Sequence, residues 1–283
     1  MLSASRWYFA NESDNLGSTV DATPGIQVTL GASNSDGSAV TLLSALGHDA
    51  HYLLIALYGN ATQAGTNPCN SVDILQDPAG GTSWATLIDD FICASQIDSN
   101  PSNITHTSGL LLPLYIKSGT SIGIIGRTAH SSTRVLNVSC WAFGNPCRPD
   151  QWWCGSKVET LGATPAGSRG TTVTPGASGS FGSWTNIGGT TSGRYGCIQP
   201  SYTGINGTAA QVQSCKLQTG YGSTKLAGSP VWSISSDGSE NINHSMNAFP
   251  FWCDIPAGTQ MQAQIASDLG SPDNCEIALY GVY

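Results

Sequence analysis

Charged side chains are scarce in this chain. Asp, Glu, Lys and Arg make up 10% of its 283 residues, whereas a typical globular protein has about 25%. The ten Lys and Arg residues are scattered and the net charge is −8, so a phosphate-binding surface for nucleic acid is excluded. Disorder is excluded too, because disordered chains are poor in aromatic residues, and this chain has eight Trp, nine Tyr and six Phe.

Long apolar runs are also absent. The longest, Leu53–Tyr58, has the length of a buried strand, far short of the ~20 residues that a membrane-spanning helix needs. The opening residues 1–7 lack the charged and apolar regions of a secretion signal. These absences predict that the chain has no membrane span and that it folds in a cytoplasm.

Motifs that carry chemistry are missing. The sequence has no phosphate-binding loop, no dinucleotide-binding glycine pattern and no His-Glu-x-x-His. His48 and His51 are spaced like metal ligands only if they lie in a loop, and we interpret them as part of a solvated turn before the Tyr52–Tyr58 strand. Asp89 and Asp90 are adjacent, whereas a glycosidase needs two carboxyl groups about 5–9 Å apart across a cleft. A solvated turn or helix end is the preferred interpretation, so we predict no catalytic residue, no metal, no cofactor and no enzymatic activity.

Paired cysteine motifs are missing as well. Nine cysteines are spread along the chain without a Cys-x-x-Cys, which weakens both a zinc and a redox interpretation. An odd count leaves at least one thiol unpaired. We expect mostly free, buried thiols, since free Cys behaves as a small hydrophobe, with Cys147–Cys154 as the best candidate for a local disulfide.

The chain does contain a repeat. Residues 28–38 and 173–183 share the pattern Val-Thr-x-Gly-Ala-Ser-x-Ser-x-Gly-Ser, with Val28 and Val173 separated by 145 residues. Residues 112–122 and 251–261 share Ile-x-x-Gly-Thr, with Gly119 and Gly258 separated by 139. The similar separations predict an internal duplication.

The repeated unit has the pattern of an antiparallel β-sandwich. Short runs with alternating polarity, such as Met261–Ile265, are separated by turn signals at intervals of 8–12 residues. We predict an all-β chain with two tandem jelly-roll-like sandwiches, at 1–144 and 157–283, joined by a linker at 145–156. Gly119 and Gly258 mark structural turns, predicted to be tight hairpins between strands. Strands are predicted at 26–31, 51–58, 71–76, 84–87, 109–116, 121–126, 134–143, 171–175, 194–200, 209–217, 230–234, 247–253, 260–265 and 275–282.

One segment also fits a helix. Trp84–Ile92 is the only fair helix candidate in the sequence. It fits a strand followed by a turn equally well.

Tryptophan and tyrosine provide the candidate binding residues. Those in arms outside the sandwiches are candidate interface anchors, because aromatic residues dominate subunit contacts: Trp7, Tyr8, Trp152 and Trp153. Those within the sandwiches are candidates for stacking on sugar rings: Trp141, Trp184, Trp232 and Trp252. For Trp184, and for Trp252 on a predicted strand, core packing is the preferred interpretation.

The second copy resembles a family of virion structural proteins of tailed bacteriophages. The resemblance rests on Val173–Ser178, reading Val-Thr-Pro-Gly-Ala-Ser, on Gly182-x-Trp184-Thr185, and on Ile255–Thr259, reading Ile-Pro-Ala-Gly-Thr. The match is weaker in the first copy, where Ala39 and Lys117 stand in place of Trp184 and Pro256. The family uses jelly-roll modules on head spikes, decorations, collars and tail fibres, and no catalytic residue comes with its motifs.

The resemblance implies a location on the virion and a non-enzymatic structural role. The expected partners are further copies of the chain, as a homotrimer or hexamer, and other virion proteins such as the major capsid, portal, adaptor or tail proteins. The alternative function is a carbohydrate- or receptor-binding module of a tail fibre or spike, with host surface glycan as its ligand. Exposure of the tryptophans in a groove would favour that alternative.

Overall fold

A computed structural model describes residues 8–10, 25–59, 70–93, 108–144, 153–163, 170–206, 210–237, 246–247 and 250–283. Strands β1–β19 make up all the regular structure over these ranges. None of the described residues forms a helix that is long and apolar enough to cross a membrane.

The first half of the chain forms two packed sheets. One sheet has the order β1-β9-β4-β7, with β2 also paired to β9, and the other has the order β3-β8-β5-β6. All the pairings between these strands are antiparallel. The strands are β1 Tyr8–Ala10, β2 Ile26–Leu30, β3 Val40–Leu43, β4 Tyr52–Gly59, β5 Asn70–Asp77, β6 Ala85–Cys93, β7 Ser108–Leu112, β8 Ser121–Thr128 and β9 Arg134–Gly144.

The second half forms a second pair of sheets. One has the order β10-β19-β13-β16, with β11 paired to β19 and β17 to β13, and the other has the order β12-β18-β14-β15. The strands are β10 Val158–Leu161, β11 Thr171–Val173, β12 Thr185–Thr190, β13 Tyr195–Asn206, β14 Ala210–Tyr221, β15 Thr224–Asp237, β16 Met246–Asn247, β17 Phe251–Ile255, β18 Gln260–Ser267 and β19 Asn274–Val282.

The two halves have the same strand order. Strands β2 to β6 correspond to β11 to β15, β7 to β16 and β17, and β8 and β9 to β18 and β19. Each half is therefore a sandwich of two four-stranded layers with an added strand, β1 or β10, in the jelly-roll arrangement. The predicted all-β fold, with two antiparallel jelly-roll-like sandwiches from a duplication, is confirmed.

The repeated Gly-Ala-Ser segments adopt the same loop in both halves. Gly31 N and Gly37 N both donate to Gly126 O, and Gly176 N and Gly182 N both donate to Ile265 O. A positive φ follows at Ser33 and Asn34 in the first loop, and at Ser178 and Gly179 in the second. The donors Gly31 and Gly176 are 145 residues apart, and the acceptors Gly126 and Ile265 are 139 apart. These are the separations of the two repeats found in the sequence.

The alternation predicted for the last strands is present. In β18, Met261, Ala263 and Ile265 are buried and lie in the core of the second sandwich. The intervening Gln262 and Gln264 are partly exposed and bond to amides on neighbouring strands. The apolar face of a strand thus fixes which way the sheet packs.

The helix candidate is a strand in the structure. Residues 84–92 fall almost wholly within β6, where Ile88 pairs with Ile74 and Phe91 with Val72. Three steps along β6 face two along β5, so β6 contains a bulge, and Asp90 has φ +51° there. Because of the extra residue, the buried side chains of β6 are Leu87, Ile88, Phe91 and Ile92. Apolar residues spaced three and four apart in this way resemble the pattern of a helix.

The turns at Gly119 and Gly258 are not hairpins. The strands on either side of each glycine, β7 and β8 or β17 and β18, pair with different sheets. Both turns therefore cross between the layers of a sandwich. The glycines have φ +86° and +79°, and the N–H groups of Gly119 and Gly258 donate to Leu46 O and Thr191 O.

The second sandwich covers an edge of the first. Strands β6 and β7 end their sheets, and side chains from the outer face of the second sandwich bond to their free backbone groups. Tyr280 Oη accepts from Ile92 N at 3.1 Å and Gln199 Oε1 accepts from Leu111 N at 3.2 Å. Thr160 Oγ1 donates to Asp89 O. Covering an edge in this way removes a template for strand addition by other chains.

Apolar packing joins the two sandwiches as well. Cys197, Ala278, Tyr280 and Val282 are buried in the cluster that forms the core of the first sandwich. The Tyr280 ring meets the Phe91 ring edge to face, with centroids 5.5 Å apart. The domain limits of 144 and 157 stay a prediction, although every described strand pairing lies within one half.

Candidate functional site

Two exposed tryptophans meet on the surface of the second sandwich. Trp153 is 44% exposed and Trp252 is 55% exposed. Their rings lie edge to face, with centroids 5.8 Å apart and planes at 84°. Exposed indoles in mutual contact are uncommon, because each ring left in water loses the free energy of its burial.

The fold places both rings. Trp252 lies on β17, where alternate side chains point outward, and pairs with Cys197 of β13. Trp153 precedes the second sandwich and its indole lies against Gly196, where any Cβ would collide with the ring. Any other residue type at position 196 would therefore displace the Trp153 ring.

A charged pair flanks the rings. Arg194 Nε and Nη2 donate to the two carboxylate oxygens of Asp254, each at 2.6 Å. Both side chains are largely exposed. The hydrogen bonds from Arg194 hold the pKa of Asp254 below its usual value, and the same contact raises that of Arg194. The bidentate geometry fixes the orientation of both groups and leaves no net charge.

The strand beneath the pair is held rigidly. Tyr195 is fully buried, and its hydroxyl donates to Glu159. Burial, and next the hydrogen bond to the Glu159 carboxylate, raise the pKa of Tyr195. Glu159 also accepts from Ser192 N and Ser192 Oγ, at 2.8 and 2.6 Å. Arg194 and Gly196, on either side of Tyr195, therefore have little freedom to move.

Together these groups form an open groove of about 320 Å³. The groove offers apolar ring surface beside one donor group and one acceptor group. Such a combination suits a ligand with C–H faces and several hydroxyls. Asp254 is the one carboxylate among the described residues that line the groove, so these residues do not include the carboxyl pair of a glycosidase. The lining residues are Trp153, Arg194, Tyr195, Gly196, Trp252, Cys253 and Asp254.

The predicted aromatic residues have several different environments. Trp252, interpreted as a core residue, is exposed, and that interpretation is wrong because its strand presents it on the outer face. Trp141 and Trp184 are half-buried and lie outside the groove lining. Trp232 lies in β15, but its side chain is outside the described residues.

The predicted interface anchors are only partly described. Tyr8 lies in β1, which pairs with β9, and its side chain is not among the described ones. Trp7 and Trp152 lie outside the described residues. Trp153 packs back on its own chain, against Gly196 and Trp252. A role for these four residues in subunit contacts stays a prediction.

The carboxylates Asp89 and Asp90 do not lie in a solvated turn or at a helix end. They are in β6, and oxygens of Asp73, Asp89 and Asp90 lie within 4.8 Å of one another. Arg127 bonds to Asp73 at 2.5 Å and lies 3.6 Å from Asp90. Burial, and next the charge of Asp89, raise the pKa of Asp90 to about 6. The guanidinium takes the position of a counter-charge within this cluster.

The histidine and cysteine predictions had mixed outcomes. His48 and His51 lie in the loop before β4, as predicted, but His51 is 4% exposed and its ring packs on Tyr115, so the turn is not solvated there. Cys154 is free, so the Cys147–Cys154 disulfide is not formed. The other described cysteines are also free: Cys140, Cys197, Cys215, Cys253 and Cys275.

Sequence reasoning missed the ion pair of Arg194 and Asp254. The two residues are 60 positions apart, and neither is in a motif. The signal was the strand pairing, because Tyr195 and Ile255 are in register on β13 and β17. Because the strands are antiparallel, Arg194 and Asp254 are diagonal neighbours, a separation that long side chains can span.

Comparisons with known proteins give only distant structural likenesses. No family model matches the chain, and no curated protein matches it. The solved CBM22-1–CBM22-2 tandem domain from Paenibacillus barcinonensis Xyn10C is 11% identical, with a TM-score of 0.29, over 99% of this chain and 94% of that one. Two structures of PNGF-II are 9% and 10% identical, with TM-scores of 0.34 and 0.35, over 99% and 98% of this chain and 66% and 65% of theirs. With TM-scores below 0.5, these likenesses carry no argument about the fold or the ligand of this chain.

Proposed function

We propose that this chain is a non-enzymatic carbohydrate-binding module displayed on the surface of a tailed-phage virion. The observation that carries the proposal is the contact between Trp153 and Trp252, two exposed indoles beside the Arg194–Asp254 pair. The virion setting comes from the sequence resemblance of the second copy. The ligand on this view is a glycan of the host surface.

The chemistry of the groove favours a neutral sugar. The C–H faces of a pyranose pack on indole rings, while its hydroxyls both donate and accept. Asp254 accepts and Arg194 donates at adjacent positions, so vicinal hydroxyls can bond to both at once. Since the pair has no net charge, it gives little advantage to a strongly anionic or cationic polymer.

A structural role in the particle is the second candidate function. The observation that favours it is the low content of charged residues, since interfaces deplete charge at their centres. On this view the exposed Trp153 and Trp252 pack against another virion protein or a further copy of the chain. The homotrimer or hexamer expected from the sequence belongs to this candidate.

Substitution of one indole tests the carbohydrate proposal. The purified chain is passed over immobilised neutral polysaccharides, namely xylan, mixed-linkage glucan and mannan, and over host lipopolysaccharide. Retention on at least one is expected, with the bound glycan recovered at unchanged length. Trp252→Ala removes one stacking face and is expected to weaken that binding at least ~10-fold.

Tyr221→Ala is the matched control, because Tyr221 is 36% exposed at the end of β14, outside the groove lining. It should bind like the wild type. Equal retention of the wild type and Trp252→Ala, or no retention of the wild type, would refute the carbohydrate proposal. Shortening of the glycan would refute the non-enzymatic part.

A further inference from the structure

The first sandwich has its own version of the groove, at the positions equivalent to Arg194, Gly196 and Asp254. The separations of 145 and 139 residues place Asp49 at the position of Arg194, His51 at that of Gly196 and Tyr115 at that of Asp254. The strand pairings agree, because Ala50 pairs with Ile116 as Tyr195 pairs with Ile255. The duplication therefore provides two related surfaces, with different side chains.

The counterpart surface is ordered and partly exposed. Tyr115 is 41% exposed, and its hydroxyl donates to Asp49 Oδ2 at 3.1 Å. Ser118 N donates to Asp49 Oδ1 at 2.7 Å, which holds the pKa of Asp49 below its usual value. The His51 ring meets the Tyr115 ring edge to face at 5.7 Å. An aromatic ring and a carboxylate are thus fixed side by side, as Trp252 and Asp254 are in the second sandwich.

One short segment of backbone connects the two surfaces. Gly155 O accepts from Tyr115 N at 2.8 Å, and Gly155 N donates to Pro113 O at 3.1 Å. Trp153, two residues earlier, packs on Trp252. Because two residues span at most about 7 Å, the Trp153 backbone lies close to the point where Tyr115 is held.

The exposed aromatic residues are concentrated along this segment. Three of the six large apolar side chains exposed in the described residues are Tyr115, Trp153 and Trp252, and the segment 153–155 contacts or contains all three. Exposed rings on both sandwiches present a longer surface than a single sugar would cover.

We propose that the carbohydrate site continues from the Trp153–Trp252 groove across the linker to a second subsite at Tyr115 and Asp49. The ligand is then an extended glycan chain, bound along its length by both sandwiches, and not a single terminal sugar. This inference rests on the proposed carbohydrate function. Asp49 retains acceptor capacity for a sugar hydroxyl, and Tyr115 provides a ring face.

Chain-length dependence tests the second subsite. Calorimetry is performed with xylo-, cello- and manno-oligosaccharides of one to six units, using the series that matches the retained polysaccharide or, for lipopolysaccharide, fragments of its O-chain. Affinity is expected to rise with length up to at least four units, because linked contacts add. Tyr115→Ala should weaken binding of the longest oligosaccharide ~10-fold and leave binding of the disaccharide within twofold.

The variants separate this inference from the proposed function. Trp252→Ala should weaken binding of the short and long ligands alike, and Tyr221→Ala should change neither. Tyr115→Phe keeps the ring and the fold, and should retain most of the affinity that Tyr115→Ala loses. If Trp252→Ala abolishes binding while Tyr115→Ala matches the wild type on the longest oligosaccharide, the second subsite is refuted and the carbohydrate function stands. If Trp252→Ala has no effect, the carbohydrate function itself is refuted.

Discussion

Glycines decide where several aromatic rings lie in the second sandwich. A Cβ at Gly196 would collide with Trp153, one at Gly193 with Tyr283, and one at Gly281 with Tyr195. Each ring thus covers a stretch of backbone without side chains, and at Gly196 and Gly281 that backbone belongs to a strand, where glycine is otherwise a weak position. At Gly196 this arrangement also fixes a ring of the candidate site.

Exposure of Trp252 is the feature of the site that the sequence could not predict. Its strand reads Phe-Trp-Cys-Asp-Ile, so apolar residues lie on both faces. With no polar alternation, the pattern does not tell the inner face from the outer face. The burial of Ile255 against the core sets the register, and Trp252 points outward as a result.

Asp90 gives a prediction for pH dependence. Its pKa is raised to about 6 in the folded chain from an ordinary 3.8, because burial and Asp89 oppose its charge. The folded state therefore binds more protons than the unfolded state between about pH 4 and pH 6, and this group lowers stability as pH rises through that range. Asp90→Asn should raise the free energy of unfolding by about 1–3 kcal/mol at pH 7.5, and much less at pH 4.

Urea unfolding of both proteins at the two pH values checks this prediction. The difference between the variant and the wild type is the quantity to compare, because the carboxylates that do not interact with Asp90 cancel in it. A difference that is equal at pH 4 and pH 7.5, or that has the opposite sign at pH 7.5, would contradict the assigned role of Asp90.

At the scale of elements, the repeat in the sequence predicted more than the local patterns did. The separations of 145 and 139 residues identify which loops, turns and strands of the two halves are equivalent. Local patterns missed β3, β10 and β12, which are short, and suggested a helix at residues 84–92. The bulge at Asp90 explains the error at residues 84–92, since the bulge is set by the pairing of β6 with β5 and leaves a misleading period in the sequence of β6.

The turn at Gly258 gives a prediction at this scale. No atom lies within 4 Å of a Cβ placed there, so its φ of +79° is the one constraint. Gly258→Val should lower the free energy of unfolding by about 1–2 kcal/mol, because a β-branched residue is strained at this angle. Gly258→Asn should lose less than half of that, since Asn tolerates the left-handed region.

Gly270→Val is the matched control, because Gly270 is equally open but is not among the glycines with positive φ. Thermal unfolding of the three variants checks the prediction. Similar melting temperatures for Gly258→Val and Gly270→Val would show that the backbone angle at Gly258 does not matter.

At the scale of the whole molecule, the contact between the sandwiches is built from edge backbone and face side chains. Tyr280 is fully buried and provides both a ring against Phe91 and an acceptor for Ile92 N. The sequence of neither half indicates this contact. Its bonds join residues 71, 88 and 188 positions apart. Such long-range contacts leave no periodic signal.

Tyr280→Phe tests the contribution of that hydroxyl. The variant keeps the ring but leaves the buried Ile92 N–H without its acceptor, which should cost about 1–3 kcal/mol. Tyr221→Phe, at an exposed tyrosine, should change stability by less than about 0.5 kcal/mol. Urea unfolding provides the measurement, and equal midpoints for the two variants would show that the edge of the first sandwich does not depend on Tyr280.

The same contact has a consequence for how such a chain could arise. It joins an edge of one sandwich to a face of the other, so copies of an ancestor with a single sandwich that used this contact would join head to tail, as a closed ring or an open filament. Fusion of two copies lets the free surfaces diverge. Gln199 and Tyr280, which meet the edge, are paired on adjacent strands where the first half has the pair Leu54 and Trp141. Gene duplication followed by this divergence would end the series after one step, and would turn a contact between separate chains into a contact within one chain.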